Sequence, residues 1–232
     1  MYKRQVLKEN VAKRVESPKL PYKESKYLDE KEAKRMLELL EKEPIMWRTI
    51  ILVCFTTGMR RGELCGLKWE DISFENAELN VVRTSQYIPK VGIIDKEPKT
   101  KSSIRVIDLP EVTINALKEY KKWYIKKRLQ VGEDWVECGK VFCQWNGTTI
   151  HPDSISDFFH KFVIKNNFQK GLTLHSLRHS YGSLMLASGS SIKTVSALLG
   201  HAQTSTTANI YIHQIRSKND VHNFENMLFK NS

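Results

Sequence analysis

The hydrophobic pattern of the chain changes once, near Ile72, and this change limits the folds that the sequence can adopt. Apolar residues recur at helical spacing before Ile72 and again after Leu109. Between these segments, residues 78–83 and 103–109 alternate polar and apolar side chains, which is the period of a half-buried strand. The sequence therefore predicts a mainly α-helical α+β fold, with a small antiparallel β-sheet inserted early in the chain.

The two predicted strands are joined by a long polar connection. It contains Gly92, Pro98 and the triplet Lys99-Thr100-Lys101. Because both flanking segments have the strand period, the simplest structure is a β-hairpin or a three-stranded sheet whose turn carries these lysines.

The predicted helices have recognisable start and stop signals. Asp29 can cap the first helix, and Pro44 is expected to end it. The nearly continuous apolar run 45–55 predicts a buried helix that ends at Gly58. Further helices are expected at about 111–130, at 152–166, at 174–187, from Ser190 or Ser191 to Gly200, and again from Thr204 or Ser205.

The charge of the chain favours a polyanionic partner. Lysine and arginine number 37 against 26 acidic residues, so the formal net charge is +11, with a pI of about 9.4. This balance is typical of nucleic-acid-binding proteins, although a soluble basic protein can have it without such a partner. Residues 1–27 are rich in lysine and arginine and contain two prolines. They are predicted to be a basic linker or arm that follows a phosphate backbone.

Other features limit the compartment and the cofactors. No apolar run is long enough to span a membrane, and residues 1–20 contain no apolar signal-peptide core. We therefore expect a cytoplasmic protein with reduced cysteines and no membrane partner. Cys138 and Cys143 could form half of a zinc site, but His151 does not follow the usual zinc spacing. We expect no metal and no cofactor.

A set of residues between 174 and 211 is typical of a site that acts on a phosphate. His175 and Arg178 lie three apart on a predicted helix, so both can reach one anion. His201 follows a helix stop signal, and Tyr211 lies about two turns into the next helix. Each of these residues taken alone is more often structural than catalytic. Together they favour a site in which Tyr211 is a nucleophile and the others manage charge and protons.

The same residues belong to a wider pattern that resembles the tyrosine recombinases, the phage-integrase family. The matching motifs are His175-x-x-Arg178, Leu198-Leu199-Gly200-His201, Tyr211-Ile212-His213, the upstream box Thr57-Gly58-Met59-Arg60-Arg61-Gly62-Glu63-Leu64 and the segment Pro98-Lys99-Thr100-Lys101-Ser102-Ser103-Ile104-Arg105. The resemblance covers about residues 28–229. Any single motif is weak, but the combination is specific.

The resemblance implies a role for each matching residue. The implied catalytic residues are Arg60 and Arg178 on the scissile phosphate, Lys99 on the hairpin, His175 and His201 as the site histidines, and Tyr211 as the nucleophile. Arg61 is an alternative to Arg60, and Lys101 is an alternative to Lys99. Glu63 is expected to support the arginine box.

The implied activity is site-specific recombination of double-stranded DNA, for integration or excision of a phage or mobile element. The strands would be cut and rejoined through a covalent 3′-phosphotyrosine, without metal or ATP. The resemblance also implies a monomer when free and a homotetramer on DNA. In that tetramer, a tail helix at about 217–230 would be exchanged between protomers, and an accessory or directionality factor would act.

The resemblance also predicts how the chain is divided into domains. In many relatives a DNA-clamping domain precedes the catalytic one. Residues 28–232 are therefore predicted to be the catalytic domain, and residues 1–27 the linker from a missing N-terminal region.

One alternative function is DNA relaxation like that of type IB topoisomerases. The other is non-catalytic DNA binding by a helix-turn-helix at 192–211.

Overall fold

A computed structural model of the 232-residue chain describes residues 26–98, 103–201 and 203–208. The helices are α1 (Glu30–Leu40), α2 (Ile45–Thr57), α3 (Arg61–Gly66), α4 (Glu111–Val131), α5 (Pro152–Lys165), α6 (Leu174–Ala187) and α7 (Ile192–Leu199). The strands are β1 (Ile72–Ser73), β2 (Glu78–Val81), β3 (Thr84–Ile88), β4 (Gly92–Lys96) and β5 (Arg105–Asp108). Short 3₁₀ turns lie at Trp69–Asp71 and Gly132–Asp134, and residues 204–208 are helical. The predicted mainly helical α+β fold is confirmed.

The helix α2 lies at the centre of the core. Its sequence is apolar almost throughout, and it packs against α4, α5 and α6. It ends at Gly58, which has the left-handed φ of 61°. A Cβ atom at Gly58 would lie 2.7 Å from a ring carbon of Tyr181 on α6 and 2.8 Å from Leu199 on α7. The end of α2 therefore lies where α6 and α7 meet, and the close approach leaves no space for a side chain.

The strands form two antiparallel sheets. In the three-stranded sheet, β2 lies between β1 and β5, and Leu79 pairs with Ile107. This confirms the predicted pairing of residues 78–83 with 103–109. The predicted three-stranded sheet is present with β1 as its third strand, but the long polar connection was not expected to contain strands of its own, and residues 84–96 form the separate hairpin of β3 and β4. Polar residues lie on both faces of β3, so the hairpin lacks the alternation that would have identified it.

The β3–β4 hairpin is held by close packing and by a buried cation. A Cβ atom at Gly62 on α3 would lie 2.4 Å from Thr84 Oγ1, so α3 and β3 are in unusually close contact. From the other side, Lys140, a residue that is only 4% exposed, donates through Nζ to Ser85 on β3 and pairs with Asp95 on β4. These contacts fix the hairpin against the helix that follows Arg60.

Several helix ends agree with the sequence signals, and one does not. Asp29 caps α1 by accepting a hydrogen bond from Glu32 N at 2.7 Å, and Ser191, rather than Ser190, caps α7. The expectation that Pro44 ends α1 was wrong. The helix α1 stops at Leu40, and Pro44 instead is the N-cap residue directly before Ile45, the first residue of α2. No helix in the described part of the chain is both long enough and apolar enough to cross a lipid bilayer.

Candidate active site

The adjacent residues Arg60 and Arg61 point to different parts of the molecule. Arg60 precedes α3, and its Nη1 donates to Glu63 Oε1 at 2.8 Å, while its Nη2 donates to the carbonyl of Gly200 at 3.3 Å. Arg61 instead binds Asp153 Oδ1 at 2.7 Å, on the start of α5. The structure therefore brings Arg60, and not Arg61, to the end of α7.

Arg178 connects three helices at the same place. It lies on α6 and is 3% exposed. Its Nη1 donates to the carbonyl of Gly58 at 2.7 Å, and its Nη2 donates to the carbonyl of Leu199. A buried guanidinium requires such acceptors, and here they come from the ends of α2 and α7. Arg60 and Arg178, which are far apart in the sequence, thus contact consecutive residues of one turn.

A third arginine, Arg105 on β5, joins this cluster. Its Nη2 donates to Glu63 Oε2 at 2.9 Å, and its Nε donates to the carbonyl of Leu198 at 2.7 Å. The carbonyls of Leu198, Leu199 and Gly200 therefore each accept a hydrogen bond from a different arginine. The last carbonyls of a helix have no partner within it and form the negative end of its dipole. The end of α7 can therefore hold three like-charged groups close together.

Glu63 is the acidic centre of the cluster. It is 4% exposed and accepts hydrogen bonds from the side chains of Arg60 and Arg105. It also accepts one from the main-chain N of Arg60 at 2.9 Å. Burial alone would raise the pKa of Glu63. The hydrogen bonds and charge of Arg105, together with the bonds from Arg60, outweigh this effect and lower the pKa below its usual value. Glu63 is therefore an anion near neutral pH and fixes both guanidinium groups.

Three histidines surround the arginines. His175 lies in the first turn of α6 with its ring 4.7 Å from that of His179, and His201 follows α7 with Nδ1 2.8 Å from Thr207 Oγ1. Partial burial and the charge of Arg178 lower the pKa of His175, and partial burial, His175 and Arg178 lower that of His179 to about 4. Partial burial, Arg178 and Arg60 lower the pKa of His201 to about 4. The rings are therefore neutral at pH 7 and can accept a proton.

A cleft opens beside His175, between α5 and the start of α6. Its volume is about 470 Å³, and it is lined in part by Arg61, His160 and Thr173. Of the residues that form the cluster, His175 lines this cleft, while Arg60, Arg178 and His201 do not. Among the described residues, no three His, Cys, Asp or Glu side chains are grouped so that they could hold a metal ion.

Residues 26–218 match the family model described as the phage integrase family. The chain belongs to this family. It is 37% identical over 202 residues to a "Tyrosine recombinase XerC-like" protein of Caldanaerobacter subterraneus subsp. tengcongensis, a match that covers 80% of this chain and 50% of the relative. It is 27% identical over 214 residues to the ICEBs1 integrase of Bacillus subtilis, covering 92% of this chain and 57% of the relative. The chain thus spans about half the length of these curated relatives.

Solved structures of integrases have the same fold. The Tn1549 transposon integrase, in complex with transposon right end DNA, matches with a TM-score of 0.73 at 23% identity, over 96% of this chain and 71% of that one. The XerA recombinase matches with a TM-score of 0.66 at 26% identity, over 89% of this chain and 66% of that one. These matches support the assignment of the fold. The distances and hydrogen bonds of the site given above are those of this chain.

Within this integrase-family chain, the structure tests the arrangement of only some predicted site residues. Arg60, Glu63, His175, Arg178 and His201 lie together, and Arg61 is directed elsewhere. Lys99, Lys101 and Tyr211 lie outside the described residues, as do residues 1–25 and the expected tail helix at about 217–230. Their roles stay predictions.

The sequence analysis missed two residues that the structure places at the site. The sequence motif contains Arg105 only as its last residue. The alternation of a strand could have identified it as inward-facing, because Arg105 shares a face of β5 with the buried Ile107. His179 has a helical signal, since it lies four residues after His175 and therefore on the same face of α6.

Proposed function

We propose that this chain is the catalytic domain of a site-specific DNA recombinase that cuts and rejoins DNA through a 3′-phosphotyrosine. The observation that carries the proposal is the convergence of Arg60 and Arg178 on one turn, in a chain of the phage integrase family. Double-stranded DNA is the proposed substrate. The net charge of +11 and the DNA in the structure of the Tn1549 integrase support it.

Charge stabilisation is the proposed task of Arg60 and Arg178. A phosphodiester under attack gains negative charge on its non-bridging oxygens, and guanidinium forks bind such oxygens with paired hydrogen bonds. Arginine keeps its charge at any working pH, so this stabilisation does not depend on protonation. Arg60 is 39% exposed, which leaves part of its side chain accessible to a ligand, and Glu63 fixes its orientation.

Proton transfer is the proposed task of the histidines and of a hairpin lysine. A tyrosine hydroxyl ordinarily has a pKa near 10, so a tyrosine nucleophile at position 211 must lose its proton as it attacks the phosphate. Lowered pKa values keep His175 and His201 neutral at pH 7, which is the form that a base requires, while the geometry around the phosphate decides which ring takes the proton. Lys99, with Lys101 as the alternative, would donate a proton to the leaving 5′-oxygen. The cut strand stays attached to Tyr211 until a free 5′-hydroxyl attacks, so rejoining needs neither ATP nor metal.

The proposed assembly is a homotetramer on DNA that forms from free monomers. The C-terminal tail would be exchanged between protomers, residues 1–27 would lead from a DNA-clamping region, and an accessory factor would bias the direction of the reaction. These proposals rest on family membership. Integration or excision of a phage or mobile element is the proposed biological role, since the relatives include the ICEBs1 and Tn1549 integrases.

A set of nicked duplexes tests this function. The duplexes would tile the DNA that flanks the coding sequence, and each nick would release a short strand after cleavage so that rejoining is blocked. We expect a covalent protein–DNA adduct on a duplex that contains the attachment site. In Tyr211→Phe the adduct disappears while binding to the same duplex stays within about threefold, because only the nucleophilic oxygen is removed. An adduct that persists in Tyr211→Phe would contradict the proposal.

The alternatives predict different products. A type IB topoisomerase-like enzyme would relax a supercoiled plasmid that contains no attachment site. A non-catalytic helix-turn-helix protein would bind DNA without forming an adduct. The helix α7 and residues 204–208 do form two helical segments joined through Gly200. However, the end of α7 is occupied by three arginines, which a DNA-reading motif does not need.

A further inference from the structure

Arg105 is held more firmly than its place on an edge strand of the sheet requires. Its side chain is 6% exposed. Its Nε donates to Leu198 O at 2.7 Å, Nη2 donates to Glu63 Oε2 at 2.9 Å, and Nη1 donates to Glu63 Oε1 and Ser103 O at 3.3 and 3.2 Å. All three nitrogens of the guanidinium are thus engaged by protein acceptors.

The carboxylate of Glu63 connects Arg105 to Arg60. Glu63 receives the fork of Arg105 on one side, and the main chain and Nη1 of Arg60 on the other. Arg60 is much more exposed than Arg105, at 39% against 6%, so its own packing fixes it less. The orientation of the Arg60 guanidinium therefore depends on that of Glu63, and Arg105 fixes Glu63 through a bidentate contact.

Arg105 also fixes the end of α7. It binds the carbonyl of Leu198, and the next two carbonyls accept hydrogen bonds from Arg178 and Arg60. His201 follows directly. Arg105 thus contacts both Glu63, which orients Arg60, and the end of α7, which Arg60 and Arg178 also contact. A displacement of either partner would change the angle between the two guanidinium groups.

We propose that Arg105 is a positioning residue for DNA strand cleavage. It holds Glu63 and the end of α7 so that Arg60 and Arg178 are directed at one phosphate. This inference rests on the proposed recombinase function. Misplacement of catalytic groups by about 1 Å can cost on the order of 100-fold in rate, so a positioning arginine can matter greatly without touching the substrate.

Two substitutions and a matched control separate positioning from folding. Arg105→Met removes the fork but keeps much of the apolar stem, and Arg105→Lys keeps the charge but cannot bind both oxygens of Glu63 together with Leu198 O. The control is Arg83→Met. Arg83 is 20% exposed and pairs with Asp71 and Glu70 rather than with Glu63 or the end of α7. For each variant we would measure the thermal midpoint, the dissociation constant on the nicked duplex in a Tyr211→Phe background, and the single-turnover rate of adduct formation at saturating DNA.

We expect a split between rate and binding. Adduct formation should slow by about 30- to 100-fold in Arg105→Met and by at least about tenfold in Arg105→Lys, while DNA affinity stays within about threefold. Arg83→Met should lower the thermal midpoint and leave the rate within about threefold. In a double variant with Glu63→Gln, Arg105→Met should cost less than it does in the wild type, since one of its two contacts, the one to Glu63, is already weakened.

Three results would overturn the inference. They are a wild-type cleavage rate in Arg105→Lys, a rate loss in the Arg105 variants no larger than in Arg83→Met at an equal loss of stability, and additive effects with Glu63→Gln. If Arg105→Met does not fold, the charge-conserving Arg105→Lys decides. A wild-type chain that forms no adduct would refute the recombinase function itself, which is a distinct outcome from normal cleavage by the Arg105 variants.

Discussion

At the scale of single residues, adjacent arginines contact different parts of the molecule. The guanidinium of Arg60 lies between Glu63 and the end of α7, whereas Arg61 is paired with Asp153 and Ser156 on α5. The sequence motif ranks Arg60 ahead of Arg61 but shows no partner for either side chain. Their difference arises because α3 starts between them, so that one side chain faces α7 and the other faces α5.

Substitution of these two arginines should have unequal effects. We expect Arg60→Ala to slow adduct formation by about 100-fold or more, since one source of charge stabilisation is lost. Arg61→Ala should change the rate by less than about fivefold, because it removes an ion pair whose partner Asp153 is largely exposed. Single-turnover cleavage of a nicked duplex measures both. A larger loss in Arg61→Ala than in Arg60→Ala would show that the assignment is reversed.

The histidines should make stability depend on pH. The pKa values of His179 and His201 are lowered to about 4 from an ordinary 6.5, so between these values the unfolded chain binds more protons than the folded one. The two rings therefore cost no stability above about pH 6.5, and the free energy of unfolding falls as the pH is lowered toward 4. We expect the thermal midpoint to drop between pH 7 and pH 5.

The matched variant His179→Asn should show a smaller drop over the same pH range. The difference between the two proteins should be at most about 2–4 °C, because the ring is only partly buried and water screens its charge. Calorimetry at pH 7, 6 and 5 measures it. An equal or steeper drop in His179→Asn would contradict the lowered pKa of that ring.

At the scale of elements, the contact between α3 and β3 fixes the arginine box to the β3–β4 hairpin. The small size of Gly62 permits this contact, since a Cβ atom there would lie 2.4 Å from Thr84 Oγ1 and 3.0 Å from the carbonyl of Ser85. Lys140 anchors the same hairpin through Ser85 and Asp95. The helix α3 cannot move without the hairpin, and the chain leads from this hairpin toward Lys99.

Gly62→Ala should therefore destabilise the protein by about 1–3 kcal/mol, the usual effect of forcing a methyl group into a packed contact. The double variant Gly62→Ala with Thr84→Ala should regain part of this loss, because the hydroxyl that meets the new methyl group is gone. Urea unfolding of the two variants and the wild type measures both changes. If the double variant is no more stable than Gly62→Ala alone, Thr84 is not the group that the methyl meets.

Much of this architecture is encoded locally and can be predicted from the sequence. The helix patterns, the caps at Asp29 and Ser191, and the pairing of β2 with β5 follow from hydrophobic period and from the turn chemistry of single residues. The β3–β4 hairpin was missed because a packed glycine and a buried lysine hold it, and neither produces a periodic pattern. The arginine cluster includes Arg105, which was missed because its partners lie 42 and 93 residues away.

At the scale of the whole molecule, the site depends on segments that are distant in sequence. Arg60 and the carbonyl of Gly200 are 140 residues apart, and Arg178 binds a carbonyl 120 residues before it. Only the folded core brings α2, α6, α7 and β5 to one point. The chain spans about half the length of its curated relatives, so the recombination of whole DNA sites is proposed for the complete protein, and the chemistry of cleavage is proposed for this part.

The identity of the residue bonded to DNA tests the account most directly. The chain would be incubated with the nicked duplex that gives an adduct, digested with nuclease and protease, and the nucleotide-bearing peptide sequenced by mass spectrometry. We predict a nucleotide on Tyr211, joined through its 3′-phosphate, and a released strand with a free 5′-hydroxyl that a polynucleotide kinase can label directly. A nucleotide on any other residue, or a released strand that carries a 5′-phosphate, would contradict the account.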